Sequence, residues 1–169
     1  MFIDCTNAGG DVAIRVTNNS TTAGTQAGVI FTTTTSDFTT AGIAYERGGT
    51  ADALRFYVGQ SDAAGGFDNA TERLRIDSNG KIGVGGAPSA WQAATTTNAL
   101  QIGNACLFNY NDAFFHVGQN FYYDGSNYKF INNGYATRLL QNAGEFTFLT
   151  SDASGSADGN VNFQSKSYL

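Results

Sequence analysis

The chain has 169 residues, with Gly 21 against Pro 1, 41% hydrophobic, 13% aromatic and only 14% charged residues. It is short of the Leu, Glu, Lys and Arg that fill surface helices, while its apolar content is enough to offset ordering entropy, so a helical bundle and a disordered chain are both excluded. A net charge of −5, with no cluster of Lys or Arg, repels a polyphosphate backbone and argues against nucleic acid as a partner.

Short runs of alternating apolar residues recur along the chain, each bounded by Gly, Asn, Ser or Thr. The first half holds VAIRVT at 12–17, GVIFTTTT at 28–35, GIAYER at 42–47 and ALRFYVG at 53–59. Alternation rich in β-branched and aromatic residues predicts half-buried strands. SAWQAATTT at 89–97 reads as a connector, because its Thr run disfavours helix. Strands resume with ALQIG at 99–103, ACLFNY at 105–110, AFFHVG at 113–118, NYKFI at 127–131, EFTFLT at 145–150 and NVNFQ at 160–164. The fold class predicted is all-β. RFYVGQ at 55–60 and FFHVGQ at 114–119 share Phe-x-Val-Gly-Gln on either side of the connector, which suggests two related modules in tandem. The expected organisation is a β-rich module over 1–88, a connector over 89–98 and a second β-rich module over 99–169. No apolar run approaches the ~18 residues of a membrane span, and the start MFIDCTNAGG lacks the basic and apolar regions of a signal peptide. A soluble chain without a membrane span or an export signal is therefore expected. Cys5 and Cys106 lie far apart with no C-x-x-C, which predicts two buried thiols and leaves a disulfide between them open.

Residues 72–88, ERLRIDSNGKIGVGGAP, resemble a phosphate-binding loop only at first glance. Gly80-Lys81 is followed by Ile82 rather than Ser or Thr, and Gly83-Val84-Gly85-Gly86 compresses the dinucleotide spacing and runs into Pro88. Apolar alternation instead places two strands here. A two-residue Asn79-Gly80 loop would send the apolar sets to opposite faces. Pairing Asp77 with Lys81 across Ser78, Asn79 and Gly80 sets Ile76 against Ile82 and Leu74 against Val84 on one face. The turn is then Asp77, Ser78, Asn79 and Gly80, with Gly80 at the position of positive φ.

The same stretch resembles the E-R-[LM]-R-I-x-x-x-G-x-[IV]-G-[IV]-G segment of bacteriophage tail fibres and tailspikes, especially those ending in an endosialidase-type intramolecular chaperone. QNFYYDGSNYKFINNGYATRLLQNAGEFTFLTSDASGSADGNVNF is similar to a module that precedes the last such hairpin in those fibres. The two stretches cover about half the chain. In relatives a further hairpin and the chaperone follow, whereas this sequence ends at QSKSYL, so no cleavage residues carry over. The resemblance implies an elongated, intertwined homotrimeric fibre segment on a virion, partnered by its own copies, by other tail or baseplate proteins and by a host surface glycan or protein receptor. Physical reasoning agrees in part: a thin fibre subunit must share its core with other copies, small residues suit strands near an axis, and Thr32 to Thr35 suit an exposed strand face.

Residues able to carry chemistry have plainer roles available. His116, the single histidine, sits within the alternating run Phe114-Phe115-His116-Val117 and reads as a packed strand residue rather than a general base. Glycan hydrolysis needs two carboxylates about 5 to 9.5 Å apart. Glu46, Asp52, Asp62, Asp68, Asp152 and Asp158 are the candidates, and all but Glu46 lie in turn-forming contexts where Asp caps its own backbone. Calcium ligation by these aspartates lacks the D-x-D-x-D-G spacing, so no metal and no cofactor is expected. The N-x-[ST] triplets at Asn18, Asn19 and Asn69 are read as chance in so Asn-, Ser- and Thr-rich a chain. Residues 108–135 are densest in aromatics; Tyr110, Tyr122, Tyr128 and Tyr135 are candidates to stack on a sugar ring, against a packing role led by Phe115, Phe121, Tyr123 and Phe130. The function expected is structural and adhesive, without catalysis, in a virion tail fibre. A depolymerising tailspike with a carboxylate pair between subunits and a cellular trimeric adhesin are the alternatives.

Overall fold

The computed structural model describes residues 16–31, 41–48, 52–59, 67, 70–94 and 96–165. Cys5, most of the run at 12–17, Thr32 to Thr35, Asp62, Asp68 and Asn69 lie outside them. The architecture is all-β. Eleven strands form one mixed sheet: β1 (Thr25–Phe31), β2 (Ala41–Arg47), β3 (Ala53–Val58), β4 (Glu72–Asp77), β5 (Ile82–Val84), β6 (Thr97–Ile102), β7 (Ala105–Tyr110), β8 (Phe114–Gln119), β11 (Thr137–Asn142), β12 (Glu145–Ser151) and β13 (Phe163–Ser165). Between β8 and β11 the chain leaves the sheet and forms a two-stranded ribbon, β9 (Tyr122–Tyr123) with β10 (Tyr128–Lys129).

Every strand of the large sheet lies beside its predecessor in chain order. With strands ~4.8 Å apart, the sheet advances on the order of 48 Å across its width. All neighbours are antiparallel except β5 and β6, which run parallel. The parallel pair separates a five-stranded antiparallel meander, β1 to β5, from a six-stranded one made of β6, β7, β8, β11, β12 and β13, with an excursion between β3 and β4 in the first and between β8 and β11 in the second. The two copies of Phe-x-Val-Gly fall on β3 and β8. Tyr57 and His116 occupy the same place in that motif, and both are buried, at 3% and 1% exposure.

The β4–β5 hairpin has the register that alternation selects: Leu74 faces Val84 and Ile76 faces Ile82. Asp77 closes the turn from both of its functional groups. Its carbonyl accepts from Gly80 N–H at 2.9 Å, and its carboxylate accepts from Asn79 and Lys81 N–H, each at 2.8 Å. Gly80 has φ 74°, in the left-handed region where a side chain carries strain. The β11–β12 hairpin is tighter, pairing Asn142 with Glu145 across Ala143 and Gly144. Both of those residues have positive φ, 50° and 83°, the signature of a type I′ turn.

The two faces of the sheet are finished differently. On the inner face of the second meander, three segments form a covering layer: the β5–β6 crossover (85–94 and 96), the excursion 120–136 with its two-stranded ribbon, and the stretch 152–162. They are stitched to one another by Gln92 N–H to Tyr123 O at 2.8 Å, Val161 N–H to Tyr128 O at 2.8 Å and reciprocal bonds between Gly134 and Gly155 at 2.9 Å. The core lies between this layer and the sheet, built on Trp91, Phe108, Phe121, Tyr122, Phe130 and Val161. Gly118 permits the closest approach, because a Cβ there would fall 2.0 Å from Cε1 at the edge of the Phe121 ring and 2.9 Å from Thr137 O. Lys81 anchors the crossover: it is 1% exposed and its ammonium donates to the carbonyls of Ala94 and Thr97.

The outer face carries a continuous apolar row. Tyr45, Leu54, Ile76 and Ile82 stand side by side on β2 to β5. The row continues through Leu100, Leu107, Val117, Leu139 and Phe148 on β6, β7, β8, β11 and β12.

Candidate functional site

The aromatic stretch around 108–135 turns mostly inward. His116 stacks on Phe108, with ring centroids 4.1 Å apart, and neither of its ring nitrogens has a hydrogen-bond partner. Burial, with the Arg138 charge as a lesser cause, pushes its pKa down to about 3. A neutral imidazole stacked on Phe108, with no hydrogen-bond partner among the described residues, is placed as a packing group. Arg138 lies beside it on the inner face, its guanidinium 4.4 Å from the ring centres of both Tyr128 and Phe163. That double cation–π contact holds a buried charge in place, with no carboxylate paired to it among the described residues.

The four candidate tyrosines separate by position. Tyr122 is corrected: at 5% exposure it belongs to the core, its hydroxyl donating to Asp158 at 2.8 Å, and it presents no face to a sugar. The reversal of the chain after β8 is the cause, since Asn120 has φ 63° and both Phe121 and Tyr122 then point inward in succession. Tyr110 and Tyr128 are half-buried. Tyr128 packs against Phe121 and Phe163, and Tyr110 against Phe114 and Tyr123. Tyr135, at 67% exposure, is the one of the four with an open ring. Of the residues expected to pack, Phe121 and Phe130 are buried within the chain, Tyr123 is half-buried and Phe115 is 39% exposed on the outer face.

The carboxylates are engaged locally. Glu46 and Glu72 both contact Arg55, and Glu72 also holds Arg75 at 2.6 and 2.8 Å, so two carboxylates and two guanidiniums form a balanced network whose side chains are only 12–17% exposed. Gln26 donates to Glu46 at 2.9 Å. Glu46 is therefore a network member on the inner face rather than half of an open acid pair. Asp52 accepts from Tyr45 O–H at 2.7 Å and from Gly48 N–H at 3.0 Å, bonds that hold its carboxyl below the ordinary range. Asp152 lies exposed at the end of β12. Asn18, in the first N-x-[ST] triplet, caps a local turn by accepting from Ser20 N–H at 3.0 Å. Cys106 is a free buried thiol pushed up to about 12 by burial.

Two depressions lie on the second half of the chain. One, of about 300 Å³, is lined by Gly85, Gly86, Gln101, Asn104 and Asn132, but its amides are committed: Gln101 accepts from Ser89 N–H and Trp91 Nε1–H, and Asn132 donates to Asn104 at 2.5 Å. The other, of about 280 Å³, lies at the tips of the β7–β8 and β11–β12 hairpins. There Gln141 stands directly between Phe115 and Phe146, and Phe146 is 66% exposed. This second depression opens on the outer face and continues its apolar surface. The sequence reading missed it, because the register that places Phe146 beside Gln141 depends on the two-residue turn at Ala143-Gly144. Among the described residues no helix is long and apolar enough to cross a membrane.

No family model matches the chain, and no curated protein or solved structure is found to be similar to it. The fold and the surfaces above therefore carry the functional argument.

Proposed function

We propose that this chain is a structural and host-attachment segment of a bacteriophage tail fibre or tailspike, working as a homotrimer on the virion. The observation that carries the reading is the serial sheet, in which strand after strand is laid down in chain order through two antiparallel meanders joined by the parallel pair. Such an architecture extends by adding units in one direction, as a fibre does, and each unit contacts only its neighbours. The ERLRIDSNGKIGVGG segment, whose resemblance suggested a fibre, forms the last hairpin of the first meander and hands the chain to the second through the crossover. Binding rather than chemistry suits the side chains. The histidine is packed, Glu46 is locked to Arg55, and Tyr135 is free to stack on a host sugar.

The test is adhesion. Purified, assembled protein is labelled and applied to bacterial cells before and after their surface polysaccharide is stripped, and the gene's neighbours are read for tail and baseplate components. Saturable binding lost on stripping, with no release of reducing ends, supports the proposal. Release of reducing ends would assign a depolymerase instead. A gene outside any phage or prophage would point to a cellular adhesin.

A further inference from the structure

We propose that the outer face of the sheet is the surface through which copies of this chain pack against one another. A β-sheet with apolar residues on both faces has to cover both. The inner face is covered within the chain, by the three segments over its second half and by Phe67 against Tyr57 over its first, while the outer face has no such layer among the described residues. The outer face leaves large side chains in solvent along its whole breadth. Val29 and Val58 are 46% and 55% exposed towards one end, and Ile102, Phe146 and Phe148 are 52%, 66% and 65% exposed beyond the crossover. Together with the half-covered members of the row between them, they leave roughly 1,000 Å² of apolar surface open, taking roughly 150–200 Å² for each fully exposed side chain. A soluble monomer's largest apolar patch is about 300–600 Å². A standard specific interface takes about 800 Å² from each partner. The area is thus too large for a free surface and sufficient for one stable contact.

Charge selects a second copy as the occupant. The chain carries a net charge of −5, so most of its surface disfavours self-approach. Apart from Asp52, which accepts from the Tyr45 hydroxyl at one end, the row from Tyr45 to Phe148 is uncharged at neutral pH, so two or three copies can meet along its length from Leu54 onward without placing like charges together. Its spacing is also self-matching, since rows of side chains at strand intervals interdigitate with identical rows when sheets stack ~10 Å apart. This inference adds a face to the fibre reading and depends on that reading only for the number of copies.

The experiment uses the full chain with Cys5→Ser, leaving the buried Cys106 in place. Single reporter thiols are introduced as Val117→Cys and Phe146→Cys on the outer face and as Ser154→Cys on the exposed covering layer. In the native protein, maleimide should label the two outer-face thiols at least ten-fold more slowly than the Ser154→Cys variant, and all three should react alike in urea. A short bis-maleimide should join chains through the outer-face thiols and leave the Ser154→Cys variant uncrosslinked. Equal labelling rates in the native protein would overturn the inference. An oligomer whose mass survives Val117→Lys would also overturn it and leave the fibre reading standing. Loss of adhesion with the protected face intact would overturn the fibre reading alone.

Discussion

Replacing Gly80 by Ala and Ala143 by Gly should move stability in opposite directions. At φ 74° Gly80 has nothing within 4 Å of where a Cβ would stand, so the substitution meets no neighbour and its whole cost is left-handed strain. That strain is worth about 1–2 kcal/mol per residue. Ala143, at φ 50°, already carries such strain. Exchanging it for glycine releases the strain and returns some chain entropy to the unfolded state, for a net gain of about 0.5–1 kcal/mol. In a chain of this size each kcal/mol shifts the melting temperature by about 2–4 °C. Urea titrations and thermal melts on both variants, at matched protein concentration, read the two signs directly. Asparagine tolerates the left-handed region, so Gly80→Asn should cost less than Gly80→Ala. A neutral Gly80→Ala, or an Ala143→Gly that destabilises, would refute the assignment of these turns.

Gly118→Ala presses a methyl group against the edge of the Phe121 ring and Thr137 O, and should cost about 1–3 kcal/mol, read in urea unfolding. Lys81→Met leaves the carbonyls of Ala94 and Thr97 without their donor and should cost about 1–3 kcal/mol in urea unfolding. His116 titrates near its ordinary value in the unfolded chain and only at about 3 in the folded one, so the unfolded state binds the extra proton between those limits. Stability should therefore fall as pH drops from about 6.5 towards 3 and be fully present above that window, and His116→Phe should flatten this part of the pH profile.

The strands were legible where one face of the sheet differs from the other, as in Ala105–Tyr110 and Phe114–Gln119. Strand β11 was not, because Leu139 and Leu140 are adjacent and apolar on opposite faces, Leu139 beside Val117 outside and Leu140 beside His116 inside. The hairpin at Asp77 to Gly80 was readable because its partners lie within a few residues of each other. Lys81 was not, since the carbonyls that satisfy it are 13 and 16 residues away across the crossover. Tyr122 was misplaced for a related reason: a period of two holds along a strand and lapses at a left-handed residue such as Asn120. The outer apolar row is a property of registers across nine strands, and no local pattern contains it.

The central claim is a fibre protomer that completes its core with other copies. Light scattering on assembled protein measures this most directly. A trimer gives a mass of three times 17.8 kDa, stable to dilution. A cooperatively folded monomer of 17.8 kDa, with the outer row open to solvent, would contradict it.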